Sequence, residues 1–218
     1  MKIGWRRTRG GIMKLGRLFV FAALCIGAVA ACSYTIRPVQ STALIKKAYW
    51  GLPQAGPAAD VTSLVTCPGG YPCDVLANGP TFNDTRANLD KKLTVIWTCQ
   101  PQNFVLAEVA PPTFKVHMAC VGESPVKPRR IDIIDATWGG PDGRQVDVTQ
   151  LVRDICSGGP TRCQVPAMAY IFGMPDRGTK SLHIRYTCDG ERTPARMATE
   201  NSVADLRCER ISDLSYPT

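Results

Sequence analysis

The sequence predicts an all-β fold, with two tandem, small, disulfide-bonded antiparallel β-sandwich modules that follow a cleaved signal peptide. The first observation is a period of two in residues 181–188, where apolar and polar residues alternate up to Cys188. This period is typical of a strand with one buried and one solvated face. It recurs in residues 92–99, where it places Thr94 and Ile96 on the solvated face. The other observations are an internal repeat and an even set of cysteines.

Residues 1–31 have the composition of a signal peptide. Six basic residues and no acidic ones precede an apolar run over residues 18–31, which is shorter than the roughly 20 residues of a spanning helix. Met13 is an alternative start, because a complete signal follows it. The end of the run, Val29-Ala30-Ala31-Cys32, resembles a bacterial lipobox, in which the peptidase cuts before the cysteine that receives the lipid.

The lipobox predicts an exported protein that the acylated Cys32 anchors to the cell envelope, so the membrane is the first predicted partner. Ser33 follows the cysteine. In lipoproteins of Gram-negative bacteria, a residue other than Asp at this position directs the protein to the outer membrane. The alternative is an ordinary signal peptide, with Cys32 left as a free thiol.

The net charge gives no support to nucleic-acid binding. The full chain carries 26 basic and 18 acidic residues. Cleavage of the signal removes six basic residues, which leaves 20 basic and 18 acidic residues and a net charge of +2. A nucleic-acid-binding protein is expected to carry a clustered basic face. We therefore predict no nucleic-acid partner.

Most of the mature chain is an internal repeat. Residues 48–51 correspond to residues 136–139, and Cys120 corresponds to Cys208, in both cases 88 residues later. Equal offsets at the two ends indicate duplication. The predicted organisation is a lipidated cysteine and tether at 32–43, module one at 44–121, a linker at 122–129, module two at 130–211 and a tail at 212–218.

Each module is predicted to contain about five to seven short strands separated by Gly and Pro turns. In module two, strands are predicted over residues 131–136, 163–168 and 180–188, followed by a closing strand that ends at Cys208. Asp147 is predicted to cap a short helical turn. Because a domain of this size buries only about 60% of its unfolded surface, disulfides are expected to supplement its core.

Eight cysteines remain when Cys25 and Cys32 are set aside, and they are predicted to form disulfides. An even number of cysteines in an exported chain is typical of a disulfide framework. Each module holds four cysteines in the same order, so bonds within a module are the simplest arrangement. The predicted bonds are Cys67–Cys73, Cys99–Cys120, Cys156–Cys163 and Cys188–Cys208.

The sequence carries no catalytic or metal-binding motif that we recognise. Its two histidines, His117 and His183, lie on predicted outward strand faces, one in each module. Neither belongs to a metal-ligand spacing, and the chain has no nucleophile elbow, zinc-protease motif or phosphate loop. We therefore predict a non-catalytic protein without a cofactor or a metal.

A set of landmarks in module two follows the order of a known domain family. They are an Ala-x-Trp-Gly motif at 136–139, a Cys–Cys loop, a Phe-Gly-Met-Pro turn at 172–175, and a strand that starts at Lys180 and ends at Cys188. Together they resemble the sea-urchin-egg-lectin type of galactose/rhamnose-binding domain. That family is a small disulfide-bonded β-sandwich that binds sugar hydroxyls through charged and amide side chains.

The resemblance implies one sugar site in each module. In module two, the Lys180 ammonium would donate hydrogen bonds to ring hydroxyls, and Trp138 would offer an apolar face to the sugar. In module one, Trp50, Asp84 and Lys91 would act in the same way. The alternative is that the tryptophans pack in the core and the lysines are solvated residues where a strand begins.

The strand order of the lectin family also allows a different disulfide, Cys120–Cys188. This bond would arise if the closing strand of module one belonged to the second sandwich. It would move the domain boundary back to the neighbourhood of residue 103.

Two functions are expected. The first is a non-catalytic cell-envelope lipoprotein that acts as a binding or adhesion module, with a carbohydrate as the candidate ligand. The second is a structural or assembly component of a cell-envelope complex, with an envelope protein as the partner. A glycan array on the fragment from residue 33 onward would separate them.

Overall fold

The computed structural model describes residues 42–53, 57–68, 71–85, 90–120, 128–141, 143–174 and 178–208. The predicted signal peptide, Cys32, most of the predicted linker and the predicted tail lie outside these residues. Strands make up 50% of the structure and helices 12%. The all-β class is therefore confirmed. The described residues belong to one compact unit.

The described part of the first repeat contains six strands and two single 3₁₀ turns. The turns are Thr62–Leu64 and Pro80–Phe82. The strands are β1 (Thr42–Gly51), β2 (Ala59–Asp60), β3 (Cys73–Leu76), β4 (Lys92–Gln100), β5 (Phe104–Ala110) and β6 (Lys115–Met118).

The second repeat contains the strands that the sequence predicts, together with two short helices. Its first strand continues through Trp138 and Gly139, beyond the predicted end, because Gly139 still pairs with Ser181 of the neighbouring strand. The helices are α1 (Thr149–Ile155) and α2 (Ala169–Phe172). The strands are β7 (Ile131–Gly139), β8 (Val146–Asp147), β9 (Arg162–Ala167), β10 (Ser181–Cys188), β11 (Glu191–Arg192), β12 (Arg196–Thr199) and β13 (Ser202–Arg207).

The strands of the described residues form three sheets, and the largest contains strands of both repeats. Its order is β13-β9-β5-β4-β1-β2. The second sheet has the order β11-β10-β7-β8, with β12 also paired to β10, and the third is the β3-β6 pair. Strands β5 and β9 are parallel, with Val105 opposite Cys163. The six-stranded sheet therefore continues across the predicted boundary between the modules.

The two repeats share details of their hydrogen bonding. The backbone N–H of Ala48 donates to Thr62 Oγ1 at 2.9 Å, and that of Ala136 donates to Thr149 Oγ1 at 2.9 Å. The register of β1 shifts at Lys46 and that of β7 shifts 88 residues later. The duplication in the sequence is thus also a duplication of local structure.

Equivalent aspartates precede the first helical turn of each repeat. Asp147 Oδ1 accepts the backbone N–H of Thr149 at 2.8 Å, but the N-cap of the helix is Val148, so Asp147 forms an Asx turn before the helix and the predicted cap is wrong by one residue. Asp60 Oδ1 accepts the N–H of Thr62 at 3.0 Å. Hydrogen bonds from the Thr62 hydroxyl and backbone, followed by one from Lys47, lower the pKa of Asp60 to about 2.

Strand β4 departs from the predicted alternation. Thr94 and Ile96, expected on a solvated face, are both fully buried. Ile96 packs with Val105 of β5 in the core of the second repeat, while Leu93 on the opposite face packs in the core of the first. Because the large sheet has a core on each face, the middle of β4 is buried on both faces. The prediction is wrong for β4, whereas the alternation holds in β10.

Polar contacts also join β1 of the first repeat to α1 of the second. The Lys46 ammonium donates to the carbonyl of Ile155 at 2.9 Å and to Ser157 Oγ at 2.8 Å, at the C-terminal end of α1. Burial lowers the pKa of Lys46, and the nearby Asp154 partly opposes that shift. A cation at this end of a helix compensates its unpaired carbonyls. Lys46 therefore connects the first repeat to the second.

The structure contains the four predicted disulfides, so their assignment is confirmed. They are Cys67–Cys73, Cys99–Cys120, Cys156–Cys163 and Cys188–Cys208, with Cα–Cα distances from 5.5 to 5.8 Å. The alternative Cys120–Cys188 bond is excluded, because each of its cysteines is bonded to another partner.

Candidate functional site

The tryptophan of the lectin-like landmarks in module two lies inside the protein. Trp138 has no exposed surface. Its Nε1 donates to the carbonyl of Gly173 at 2.9 Å, and its ring packs against Phe172 with the centroids 5.6 Å apart. The indole therefore fills the core, and its N–H is hydrogen-bonded to the backbone. Neither face of the ring is available to a sugar in this conformation.

Lys180 is buried beside Trp138's strand partner, Leu182, with 3% of its surface exposed. Its Nζ donates to the carbonyl of Gly178 at 3.0 Å and lies 3.7 Å from Glu200 Oε2. Because a buried ammonium must be compensated, these contacts hold the charge within the fold. We call Trp138, Phe172, Lys180 and Glu200 the module-two corner.

The equivalent residues of the first repeat form a second buried cluster. Trp50 Nε1 donates to Asp84 Oδ2 at 3.0 Å, and Lys91 Nζ contacts the same oxygen. The Trp50 ring packs against Phe82 with the centroids 5.3 Å apart. The structure thus brings Trp50, Asp84 and Lys91 together, as the resemblance implies, but encloses them. We call these residues, with Phe82, the module-one corner.

The two alternative roles considered for these residues have different outcomes. Both tryptophans pack in the core, as the alternative to sugar binding predicts. The lysines are not solvated, so that part of the alternative is wrong. Sequence reasoning missed Glu200, which lies in the turn between β12 and β13 and is distant in the chain from the lysine that it faces.

Each Trp-Gly pair ends at a close backbone approach. A Cβ on Gly139 would lie 2.4 Å from the carbonyl oxygen of Arg144, and one on Gly51 would lie 2.7 Å from Ala58 Cβ. The repeated glycine is therefore required for the chain to fold back against its own strand, which explains the motif without a ligand.

The accessible surface of the second repeat includes a cavity of about 230 Å³. The end of α1 and the glycines that follow it line one side of this cavity, and β7 lines the other. Arg130 pairs with Asp132 at 3.0 Å, while Arg153 Nη2 donates to the carbonyls of Ile133 and Ile134. The cavity has a mixed polar and apolar lining, and none of its lining residues is aromatic.

The histidines are exposed, as predicted, and lie on different sheets. His117 Nδ1 is 2.7 Å from Asp74 Oδ1, and this hydrogen bond, followed by one from Lys115, lowers the pKa of Asp74. Within the described residues, no group of three or more His, Cys, Asp or Glu side chains could hold a metal ion. In the same part of the chain, every helix is too short or too polar to cross a membrane.

Comparison with known proteins finds no matching family, no similar curated protein and no similar solved structure. The lectin-like and lipoprotein assignments therefore stay predictions.

Proposed function

We propose that this protein is a non-catalytic lipoprotein that serves as a structural or assembly component of the bacterial cell envelope. In this proposal a signal peptide is cleaved before Cys32, and the lipid on that cysteine holds the chain in the outer membrane. The exported part consists of two tandem β-sandwich modules that share one sheet. Its partner is an envelope protein.

The observation that carries this proposal is the burial of both corners. Trp138 and Lys180, which the lectin resemblance assigns to a sugar, are 0% and 3% exposed. Their polar atoms are already bonded to the backbone or a carboxylate. Residues that stabilise the fold in this way support a rigid scaffold better than a lectin site.

Carbohydrate binding is the second candidate, at a different place. The cavity beside β7 is accessible, has a mixed polar and apolar lining, and includes the side chain of Arg130, which is about two-thirds exposed. Guanidinium groups can donate several hydrogen bonds to sugar hydroxyls. A weak site of this kind would make the protein an adhesion module that uses the cavity rather than the corners.

The deciding experiment is a glycan array on the soluble protein from residue 33 onward, with the wild type and Arg130→Ala. We expect neither protein to be retained by any glycan on the array. Retention by the wild type that Arg130→Ala abolishes would replace the assembly role with the cavity lectin. A third protein, Lys180→Arg, tests the corner. Wild-type retention that Lys180→Arg abolishes and Arg130→Ala does not would restore the site implied by the resemblance.

The assembly role also predicts the state of the anchored protein. Extracted from envelopes in a mild non-ionic detergent, it should sediment as a complex larger than the monomer in its micelle. Cys32→Ser should release the protein from the membrane fraction and reduce the complex. A wild-type protein that sediments as a monomer would contradict the proposal.

A further inference from the structure

The module-one corner holds an amine and a carboxylate in contact inside the protein. Lys91 Nζ touches Asp84 Oδ2, and the two side chains are only 9% and 13% exposed. Trp50 Nε1 donates to the same oxygen at 3.0 Å. We propose that Lys91 and Asp84 form an intramolecular isopeptide bond, an amide cross-link between the two side chains.

Burial favours this product over the ion pair. Removal of two charges from water costs desolvation free energy, and their mutual attraction does not always offset that cost. An amide carries neither charge. The fold also holds the reacting groups together, and oriented groups in one molecule react as if at effective concentrations of about 10⁵–10⁸ M.

The reaction balances without any other reactant. One proton passes from the Lys91 ammonium to the Asp84 carboxylate that it contacts, which leaves a neutral amine and a carboxylic acid protonated on Oδ1. The nitrogen lone pair attacks Cγ and forms the C–N bond, and the C–Oδ1 bond breaks. Oδ1 leaves as water with a second proton from the nitrogen, while Oδ2 becomes the amide oxygen.

The Trp50 N–H is placed to assist this step. Negative charge develops on the carboxyl oxygen as the nitrogen attacks, and a fixed hydrogen-bond donor stabilises such charge. Trp50 donates to Oδ2, the oxygen that stays. The Phe82 ring packs against the indole, and the low exposure of the Lys91 and Asp84 side chains means that little water reaches the corner.

The module-two corner supplies a matched comparison in the same chain. Lys180 Nζ lies 3.7 Å from Glu200 Oε2 and donates to the Gly178 carbonyl instead. The indole of this corner donates to the backbone of Gly173 and not to the carboxylate. We therefore expect an ion pair in module two and a covalent bond in module one.

Peptide mapping of the reduced, unfolded wild-type protein after trypsin digestion tests the proposal. Trypsin cleaves after Lys47 and Arg86, and it cannot cleave after a Lys91 that is in amide linkage. The expected result is one branched species that joins residues 48–86 to residues 87–92 and is lighter than their sum by one water. Cleavage after Lys180, with no peptide that spans it, is the control that trypsin reaches the unlinked lysine of the other corner.

Recovery of residues 48–86 and 87–91 as separate peptides of unmodified mass would overturn the proposal. The control is Lys91→Arg, which keeps the positive charge but has no primary amine, so its digest should contain the separate peptides. The wild-type map decides the question even if this variant folds poorly.

Discussion

The ion pair between Lys180 and Glu200 stabilises the folded state. Both side chains are buried, and removal of one leaves the other charge uncompensated. Lys180→Met should therefore lower the free energy of unfolding by about 3–5 kcal/mol in chemical denaturation. The matched control is Lys47→Met, because the Lys47–Asp60 pair is about half exposed and should contribute less than about 1 kcal/mol. Equal, small effects of the two variants would place Lys180 in solvent.

Asp60 makes stability depend on pH in the acid range. The folded protein lowers its pKa from 3.8 to about 2, so the native state holds the charged form more strongly than the unfolded chain does. The resulting stabilisation is complete above pH 3.8 and is lost as the pH falls towards 2. Asp60→Asn should reduce the slope of unfolding free energy against pH in that window. An unchanged slope would contradict this assignment.

The residue scale also shows where sequence reasoning reached its limit. The repeat aligns Lys91 with Lys180 and Trp50 with Trp138, and the structure places each pair in equivalent corners. The repeat did not reveal that the two lysines are buried, because the carboxylates that contact them come from loops that do not correspond in the two repeats. Asp84 follows a 3₁₀ turn, whereas Glu200 lies in a hairpin turn. Such contacts depend on loop geometry and leave no periodic pattern.

At the scale of elements, β4 is the strand that unites the two cores. Ile96→Ala should destabilise the protein by about 2–5 kcal/mol, because the side chain is fully buried in the core of the second repeat. The control is Leu44→Ala on the neighbouring strand β1, where the side chain is 62% exposed, and it should change stability by less than about 0.5 kcal/mol. Chemical denaturation of both variants measures the difference. A small effect of Ile96→Ala would show that this face of β4 is solvated.

The strands and disulfides were predictable because their signals are local. Alternation predicts β10, and the order of cysteines within each repeat predicts all four bonds. The β5–β9 pairing was not predictable. Two strands that are far apart in the chain meet in parallel there, and neither carries a sequence mark of its neighbour. Burial of both faces of β4 follows from that pairing, and so the error in β4 has the same cause.

At the scale of the whole molecule, the large sheet stops at protected edges. One edge is the two-residue strand β2, whose few free backbone groups offer little to a further strand. The opposite edge is β13, where Arg207 and Arg162 both pair with Asp205. Short strands and charged side chains at sheet edges oppose edge-to-edge association. Within the described residues, the edges of the large sheet therefore carry features that oppose pairing with a further strand.

The central claim of this account is that the two repeats are one cooperative body, joined by the sheet that β5 and β9 complete. Urea denaturation with the disulfides intact tests this claim. Unfolding is monitored by far-ultraviolet circular dichroism and by the tryptophan fluorescence of the Trp138→Phe variant. In that variant the remaining tryptophans of the described residues, Trp50 and Trp97, lie in the first repeat. We predict a single transition in which both signals have the same midpoint. Two separate transitions, with the fluorescence following only one of them, would show that the repeats are independent modules and would contradict the account.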